Sequence, residues 1–161
     1  LLFRRNDAPL DFDFALVKEQ SKDNPVFYVQ YAHARTFSIF RNAARDLPNL
    51  DTSDAALAGA NLSLLATGDE IELIRLLGSW PRQVAAAARA HEPHRLAFYL
   101  HELAAQFHAF WGKGKEDPSL RFVNDDDPKL TLARLALVDG VRRVLGNGLD
   151  LLGVSAPQEL S

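Results

Sequence analysis

Residues 24–35 read NPVFYVQYAHAR, and this stretch predicts the start of the first long helix. Asn24 suits the N-cap position, because its side-chain oxygen can accept hydrogen bonds from the free N–H groups of the first turn. Pro25 suits the first helical position, where its missing N–H costs nothing. Apolar residues then recur at helical spacing until about Asp46, and Pro48 opposes any continuation. We therefore predict a helix that begins at Pro25 and ends near Asp46.

The predicted helix has two contrasting sides when its residues are placed about 100° apart. One side is polar and aromatic, and consists of Asn24, Tyr28, Tyr31, Arg35, Ser38 and Asn42. The other side is the expected core face, with Val26, Val29, His33, Thr36, Phe37, Phe40 and Ala44. His33 falls in the middle of that second side, so we predict a buried histidine whose hydrogen bonds are satisfied.

The tyrosines and the arginine of the polar side suit contact with single-stranded RNA. Their flat faces can stack on unpaired bases, and the guanidinium can donate to base edges or hold a phosphate. The alternative is that Tyr28 and Tyr31 pack against a neighbouring helix while Arg35 pairs with a carboxylate or a helix end. Periodicity alone leaves both interpretations open.

The rest of the chain is helical in pattern, and no stretch alternates apolar and polar residues as a strand would. The predicted helices lie near Phe14 to Ser21, at Ser53 to Ala60, Asp69 to Leu77, Ser79 to Ala90 and Pro93 to Trp111, and from the N-cap Asp127 to Leu145 or beyond. Gly78 is expected to end one of them, and Gly112 with Gly114 another. The charged loop from Lys115 to Asp127 is the expected mobile connection. Five or six helices with short links indicate an all-α bundle.

Composition limits the classes of protein to which the chain can belong. The chain has 161 residues, enough for one domain, and no cysteine, so it suits a reducing cytoplasm. Its apolar runs are too short to cross a membrane, its start lacks a signal peptide, and the absence of methionine fits a fragment of a longer protein. The net charge of -3 argues against binding of nucleic acid by broad phosphate neutralisation, but specific readers of RNA loops need few cations. An RNA surface is expected away from the acidic stretch 46–72.

No catalytic or metal-binding motif is recognisable in the sequence. It lacks a glycine-rich phosphate loop, a nucleophile elbow and a His-Glu-x-x-His helix. His91 and His94 flank a proline at a helix start, which does not suit a metal pair, and the aspartates 125–127 suit a solvated loop that ends in an N-cap. Core packing is the first expectation for Phe107 and Trp111, but Trp111 at the helix end is placed to project from the rim.

The stretch NPVFYVQYAHAR resembles the signature helix of the DALR-type anticodon-binding domain of bacterial arginyl-tRNA synthetases. Residues 130–160, LTLARLALVDGVRRVLGNGLDLLGVSAPQEL, resemble the closing helix and tail of that domain. Residues 4–23, RRNDAPLDFDFALVKEQSKD, are similar to its exit from the catalytic domain. The resemblance implies a linker at 1–20, followed by an all-α anticodon-binding domain of a class I synthetase at 21–161.

The resemblance also implies a parent enzyme that joins arginine to its tRNA with ATP and Mg²⁺, and that acts as a cytoplasmic monomer. Such enzymes carry class I motifs of the HIGH and KMSK types, and neither motif occurs in this chain. We therefore expect a chain that binds the anticodon loop of an arginine-accepting tRNA, contacts its own catalytic domain, and is inactive alone with no cofactor of its own. No DNA or membrane partner is expected.

Carried over position by position, the resemblance assigns tRNA contact to Asn24, Tyr28, Tyr31, Arg35, Phe107, Trp111 and Leu160. The tail departs from the pattern of many relatives, which end on a methionine, because this chain ends Glu159-Leu160-Ser161. One alternative is the anticodon-binding domain of a cysteinyl-tRNA synthetase or of the glycyl-tRNA synthetase β subunit. Another is a helical module that binds a partner protein through the tyrosine and arginine stripe.

Overall fold

The structure of the protein is a computed structural model that describes residues 24–160. The short helix predicted near Phe14 to Ser21 and the linker predicted at 1–20 lie outside the described residues. Within them the chain forms five α-helices and no strand. The helices are α1 (Pro25–Asp46), α2 (Asp54–Ala58), α3 (Gly68–Ala90), α4 (His94–Glu116) and α5 (Pro128–Leu151), with short 3-10 helices at Leu62–Leu64 and Pro118–Leu120.

The helices form a bundle in which α1 and α3 each pack on both α4 and α5, while α2 packs on α5. The predicted all-α bundle is therefore confirmed. Its core contains the fully buried rings of Phe107 and Phe110 on α4, with Leu135, Val138 and Val141 on α5. Because α1 and α4 are neighbours, side chains at the edge of their interface meet on the surface.

Helix α1 begins and ends at the predicted residues, Pro25 and Asp46. The Asn24 side-chain oxygen accepts hydrogen bonds from the N–H groups of Val26 at 3.0 Å and Phe27 at 3.4 Å. The core face, however, is rotated toward the polar stripe: Val29, His33 and Thr36 are buried as predicted, but Ala44 is exposed. The remaining buried positions are Ala32, Ala34, Ile39 and Ala43, while Val26, Phe37 and Phe40 are half-buried.

Helix α3 is continuous, so the predicted break at Gly78 is wrong. Thr67 caps the helix through a capping box with Glu70, and the helix passes through both Gly78 and Pro81. Leu76 before the proline and Ala87 after it are both buried in the same bundle. Burial on both sides of the proline offsets its cost in a helix, which is about 3 kcal/mol.

Tyr99 of α4 supports α3 next to that proline. Its hydroxyl donates to the carbonyl oxygen of Leu76 at 2.7 Å, and the Ser79 hydroxyl donates to the same oxygen at 2.7 Å. The Trp80 ring stacks on the Tyr99 ring with 5.4 Å between centroids. Ser79, where a new helix was predicted to begin, therefore hydrogen-bonds within a continuing helix.

Helix α4 passes through Gly112 and Gly114 to Glu116, so its predicted end at these glycines is also wrong. Gly114 is needed for close approach, because a Cβ there would lie 3.2 Å from the Cα of Arg121. The loop predicted to be mobile is anchored at Phe122, which is only 4% exposed and whose ring centroid lies 4.7 Å from that of Phe110, while most of its other residues are exposed.

A buried ion pair joins that loop to two helices. Arg134 of α5 donates to the Glu70 carboxylate at 2.7 Å and to the carbonyl oxygens of Ser119 and Arg121, each at 2.7 Å. The Glu70 carboxylate also accepts from the Thr67 N–H at 2.8 Å. Burial raises the pKa of Glu70, but the hydrogen bonds from Thr67 and Arg134 outweigh it, and the pKa ends below its usual value.

Helix α5 begins at Pro128 as predicted, with the Asp127 side chain accepting from the Leu130 N–H at 3.0 Å. It continues to Leu151, and Gly153 then takes a positive φ of 69° that L side chains rarely adopt. The Val154 N–H turns back to the Leu149 carbonyl at 2.9 Å. This cap directs residues 154–160, the C-terminal tail, away from the helix axis and back toward α1.

Candidate nucleic-acid interface

Tyr31 and Arg35 of α1 meet Trp111 of α4 at the edge of the bundle. The guanidinium carbon of Arg35 lies 3.8 Å from the Trp111 ring centroid and 4.4 Å from the Tyr31 ring centroid. The Nη2 atom of Arg35 donates to the Tyr31 hydroxyl at 2.6 Å. Two aromatic rings and a cation are therefore combined in one cluster, which we call the aromatic–arginine cluster.

His108 of α4 holds the Arg35 side chain in place through a hydrogen bond. Arg35 Nη1 lies 2.7 Å from His108 Nδ1, and His108 Nε2 lies 3.5 Å from the Tyr28 carbonyl oxygen. Because the guanidinium only donates, Nδ1 must accept, so the ring is neutral with its proton on Nε2. Burial and then the charge of Arg35 lower the pKa of His108 from 6.5 to about 4, against the raising effect of the Tyr28 hydrogen bond.

Tyr28 sits deeper than Tyr31. Its ring is half-buried and lies between two histidine rings of α4, 5.0 Å from His101 and 4.8 Å from His108 between centroids. Tyr31 is the more accessible ring, with 37% of its surface exposed. The packing alternative therefore describes Tyr28 better than it describes Tyr31.

Two open clefts flank the cluster, and Trp111 lines both. The first cleft has a volume of about 370 Å³ and is lined by Tyr31, Ala34, Arg35, Ser38, Ile39, Arg41, Asn42, Trp111, Glu159 and Leu160. The second has a volume of about 310 Å³ and is lined by Ile39, Asn42, Asp46, Trp111, Gly114, Lys115, Leu120, Arg121, Phe122, Val123 and Asp125. The Lys115 ammonium lies 4.1 Å from the Trp111 ring centroid.

The C-terminal tail runs beside α1 and reaches the first cleft. Gln30 Nε2 donates to the Ser155 carbonyl oxygen at 2.8 Å, and His33 Nδ1 lies 2.9 Å from the Pro157 carbonyl oxygen. Leu160 in the tail is half-buried and belongs to the lining of that cleft. His33 is 5% exposed, so the prediction of a buried, hydrogen-bonded histidine is confirmed.

The structure brings four of the sequence-predicted residues together at the first cleft: Tyr31, Arg35, Trp111 and Leu160. Tyr28 borders them. Two other predictions need correction. Asn24 is 5% exposed and its side-chain oxygen caps α1, and Phe107 is 0% exposed in the core, where its ring packs on Phe122. Neither has the open surface that direct contact with a base requires.

Sequence reasoning missed the contribution of His108 and Lys115. Both share a face of α4 with Trp111, because spacings of three and four residues place side chains on the same side of a helix. That spacing indicates a shared face, but it does not contain the contact of His108 with Arg35 on the neighbouring helix. Within residues 24–160, no group of three or more histidine, aspartate or glutamate side chains could hold a metal ion. No helix of that region is long and apolar enough to span a membrane.

Comparisons with known proteins agree on one family. The model of the DALR anticodon binding domain matches residues 29–160. Over 160 residues, or 99% of this chain, the sequence is 62% identical to the arginine–tRNA ligase of Methylobacterium sp. strain 4-46 and 58% identical to that of Sinorhizobium medicae. The chain spans only 27% of the length of each of these relatives.

Solved structures show the same fold in longer proteins. A crystal structure from Campylobacter jejuni, assigned as an arginyl-tRNA synthetase, superposes with a TM-score of 0.78 at 23% identity, over 99% of this chain and 32% of that one. The arginyl-tRNA synthetase of Thermus thermophilus superposes with a TM-score of 0.66 at 32% identity, over 87% of this chain and 22% of that one.

Proposed function

The chain belongs to the DALR anticodon-binding domain family, and we propose that it recognises the anticodon loop of an arginine-accepting tRNA. The observation that carries the proposal is the aromatic–arginine cluster, which presents Tyr31, Arg35 and Trp111 together beside an open cleft. Such a combination suits unpaired bases, because aromatic and guanidinium planes stack on them while N–H groups bind base edges and phosphates.

The rest of the proposed activity belongs to a longer protein. The relatives are arginine–tRNA ligases of which this chain spans about a quarter. We propose that the parent joins arginine to its tRNA in the cytoplasm with ATP and Mg²⁺, as a monomer, through a separate catalytic domain that contacts this one. The chain itself is then a binding domain that contributes affinity and selectivity.

Arg35 is held in position before RNA arrives. Two of its N–H groups point to His108 and Tyr31. A guanidinium has five N–H donors, so with these two partners among the described residues three donors remain for a phosphate or a base edge. Because the group is fixed by two side chains, binding costs less conformational entropy than it would for a free arginine.

At the second cleft, a base can replace Lys115 on the Trp111 ring. The Lys115 ammonium lies over this ring, and an exposed contact of this kind contributes about 0.5–1 kcal/mol. Stacking of a base on an aromatic side chain contributes about 1–3 kcal/mol. A base can therefore displace the exposed Lys115 side chain, which then becomes free to pair with a phosphate. Since Trp111 lines both clefts, consecutive nucleotides would lie on either side of it.

The test is binding of an anticodon stem-loop of arginine tRNA to the chain, with Tyr31→Ala and Trp111→Ala. Each variant should weaken binding by roughly 5- to 150-fold, the equivalent of about 1–3 kcal/mol per lost stack, while the helical circular dichroism signal is kept. Arg75→Ala is the matched control, because Arg75 is an exposed side chain of α3 that hydrogen-bonds to Glu72 and lines neither cleft.

A panel of competitors separates the proposal from its rivals. Arginine stem-loops should compete best, and binding should weaken as salt rises because phosphates are contacted. Preference for a cysteine or glycine stem-loop would reassign the domain to another synthetase. Variants that bind every RNA as wild type does would favour a protein partner for the same surface.

A further inference from the structure

The C-terminal tail is attached to α1 at alternate residues. Ser155 accepts hydrogen bonds from Gln30 Nε2 through its carbonyl oxygen at 2.8 Å and its hydroxyl oxygen at 3.1 Å. Glu159 forms an ion pair with Arg41 at 3.3 Å. In an extended segment alternate residues point to the same side, so this pattern fits an extended tail that lies along the helix.

Between Ser155 and Glu159, the tail is attached at Pro157 to a buried side chain of α1, His33. The ring of His33 is in the core face of α1, yet its Nδ1 atom lies 2.9 Å from the carbonyl oxygen of Pro157. A carbonyl can only accept, so Nδ1 carries the proton. Gly146 of α5 makes room for the ring, because a Cβ there would lie 3.2 Å from His33 Nε2.

His33 is kept neutral in this position. Burial is the largest effect on its pKa and lowers it, the hydrogen bond to Pro157 raises it, and the charge of Arg142 lowers it, with a lowered pKa as the result. The side chain is also wedged against the Phe37 ring, 5.2 Å away between centroids. The donor to the tail is therefore a buried ring that packs against its neighbours.

The last described residues of the tail line the first cleft. Glu159 and Leu160 both belong to its lining, beside Tyr31 and Trp111. Neither Gln30 nor His33 lines either cleft. Both residues instead contact the tail, which connects them to that cleft.

We propose that Gln30 and His33 are positioning residues, which hold the C-terminal tail so that Leu160 forms one wall of the RNA cleft. The inference rests on the proposed function of the cleft. Without the attachments, residues 154–160 would gain backbone freedom, and ordering each of them again costs free energy when RNA binds. The apparent dissociation constant is inversely proportional to the fraction of molecules whose tail is already in the bound position. A lower fraction therefore means weaker binding.

Four variants test the proposal: Gln30→Ala, His33→Phe, His33→Asn, and a chain that ends at Ala156. Two quantities are measured for each, the affinity for the anticodon stem-loop and the hydrogen exchange of the tail amides. Gln30→Ala and His33→Phe each remove one attachment of the tail, so each should weaken binding about fivefold and should speed tail exchange. The truncated chain should show the largest loss.

Rescue and non-additivity distinguish a positioning role from a structural one. His33→Asn should bind nearly as well as wild type, because the amide nitrogen of asparagine can take the place of the donor Nδ1. Joining Gln30→Ala to the truncation should add nothing to the effect of truncation alone. Arg75→Ala, far along α3, should change neither quantity.

Each contrary outcome has one meaning. If truncation at Ala156 leaves the affinity unchanged while Tyr31→Ala still weakens it, the tail has no part in binding and the inference is overturned. If Gln30→Ala lowers affinity equally in the full and the truncated chain, it does not act through the tail. If Tyr31→Ala also has no effect, the proposed function itself is wrong. Should His33→Phe lose its helical signal, Gln30→Ala and the truncation decide the question.

Discussion

Mild acid should destabilise this protein more than its carboxylates alone would cause, and His108 is the reason. Its pKa is lowered from 6.5 to about 4, by burial and by Arg35. Between those two pH values the unfolded state binds a proton that the folded state does not. The free energy of unfolding is therefore unaffected by His108 above pH 6.5 and falls as the pH drops through this interval.

The size of the loss follows from the two pKa values. A pKa difference of one corresponds to about 1.4 kcal/mol, so the loss is about 2 kcal/mol at pH 5 and about 3 kcal/mol at pH 4. His33 adds a loss of the same sign, because burial lowers its pKa as well. Protonation of His108 in the folded protein also removes the acceptor that holds Arg35, so the cluster should lose its order only near pH 4.

The assay is urea unfolding at about pH 7.5 and about pH 5, with wild type and His108→Asn. The asparagine oxygen can accept from Arg35 in place of Nδ1 but does not titrate. Between the two pH values wild type should lose about 2 kcal/mol more than the variant, since all other groups titrate alike in both proteins. Equal losses would refute the reasoning, because His108 would then have the same pKa folded and unfolded.

Three substitutions in the core and at a cap test other parts of the structure, each by urea unfolding. Arg134→Met should lower the free energy of unfolding by about 3–5 kcal/mol, because it leaves Glu70 buried and unpaired, and adding Glu70→Gln should recover part of that loss. Asn24→Ala should cost about 1 kcal/mol through the lost N-cap and leave stem-loop affinity unchanged. Phe107→Ala should cost about 3–5 kcal/mol, whereas weaker RNA binding at full stability would return Phe107 to the interface.

Helix starts were predictable because capping is a local matter. Asn24 and Asp127 each accept hydrogen bonds from N–H groups two or three residues ahead, so the sequence contains both partners. The internal breaks were not predictable in the same way. Gly78, Pro81 and Gly112 oppose a helix locally, but burial of residues on both sides of them against neighbouring helices decides the outcome.

The rotated core face of α1 has a related cause. Ala32 and Ala43 carry little hydrophobic signal, yet both are at most 1% exposed where α1 approaches its neighbours. Their burial turns the core face toward the stripe, so Tyr28 becomes half-buried and Ala44 faces solvent. Periodicity predicts which residues share a face, but the depth of that face depends on the helices packed against it.

The same limit applies to the candidate site. Tyr31 and Arg35 follow from helical spacing, and the family resemblance adds Trp111 and Leu160. Phe107 and Trp111 share a face of α4 by sequence, and only the packing of Phe122 shows that the first is buried. The role of His108 depends on the distance between two helices, which no pattern within one helix contains.

The two tryptophans provide the most direct measurement. The chain has only Trp80 and Trp111, so its NMR spectrum contains two indole N–H signals, one from α3 and one from the cluster. When an arginine anticodon stem-loop is added, the Trp111 signal should shift with the binding curve while the Trp80 signal stays in place. A shift of Trp80 alone, or saturated binding with no shift of Trp111, would contradict the claim that unpaired nucleotides meet the aromatic–arginine cluster.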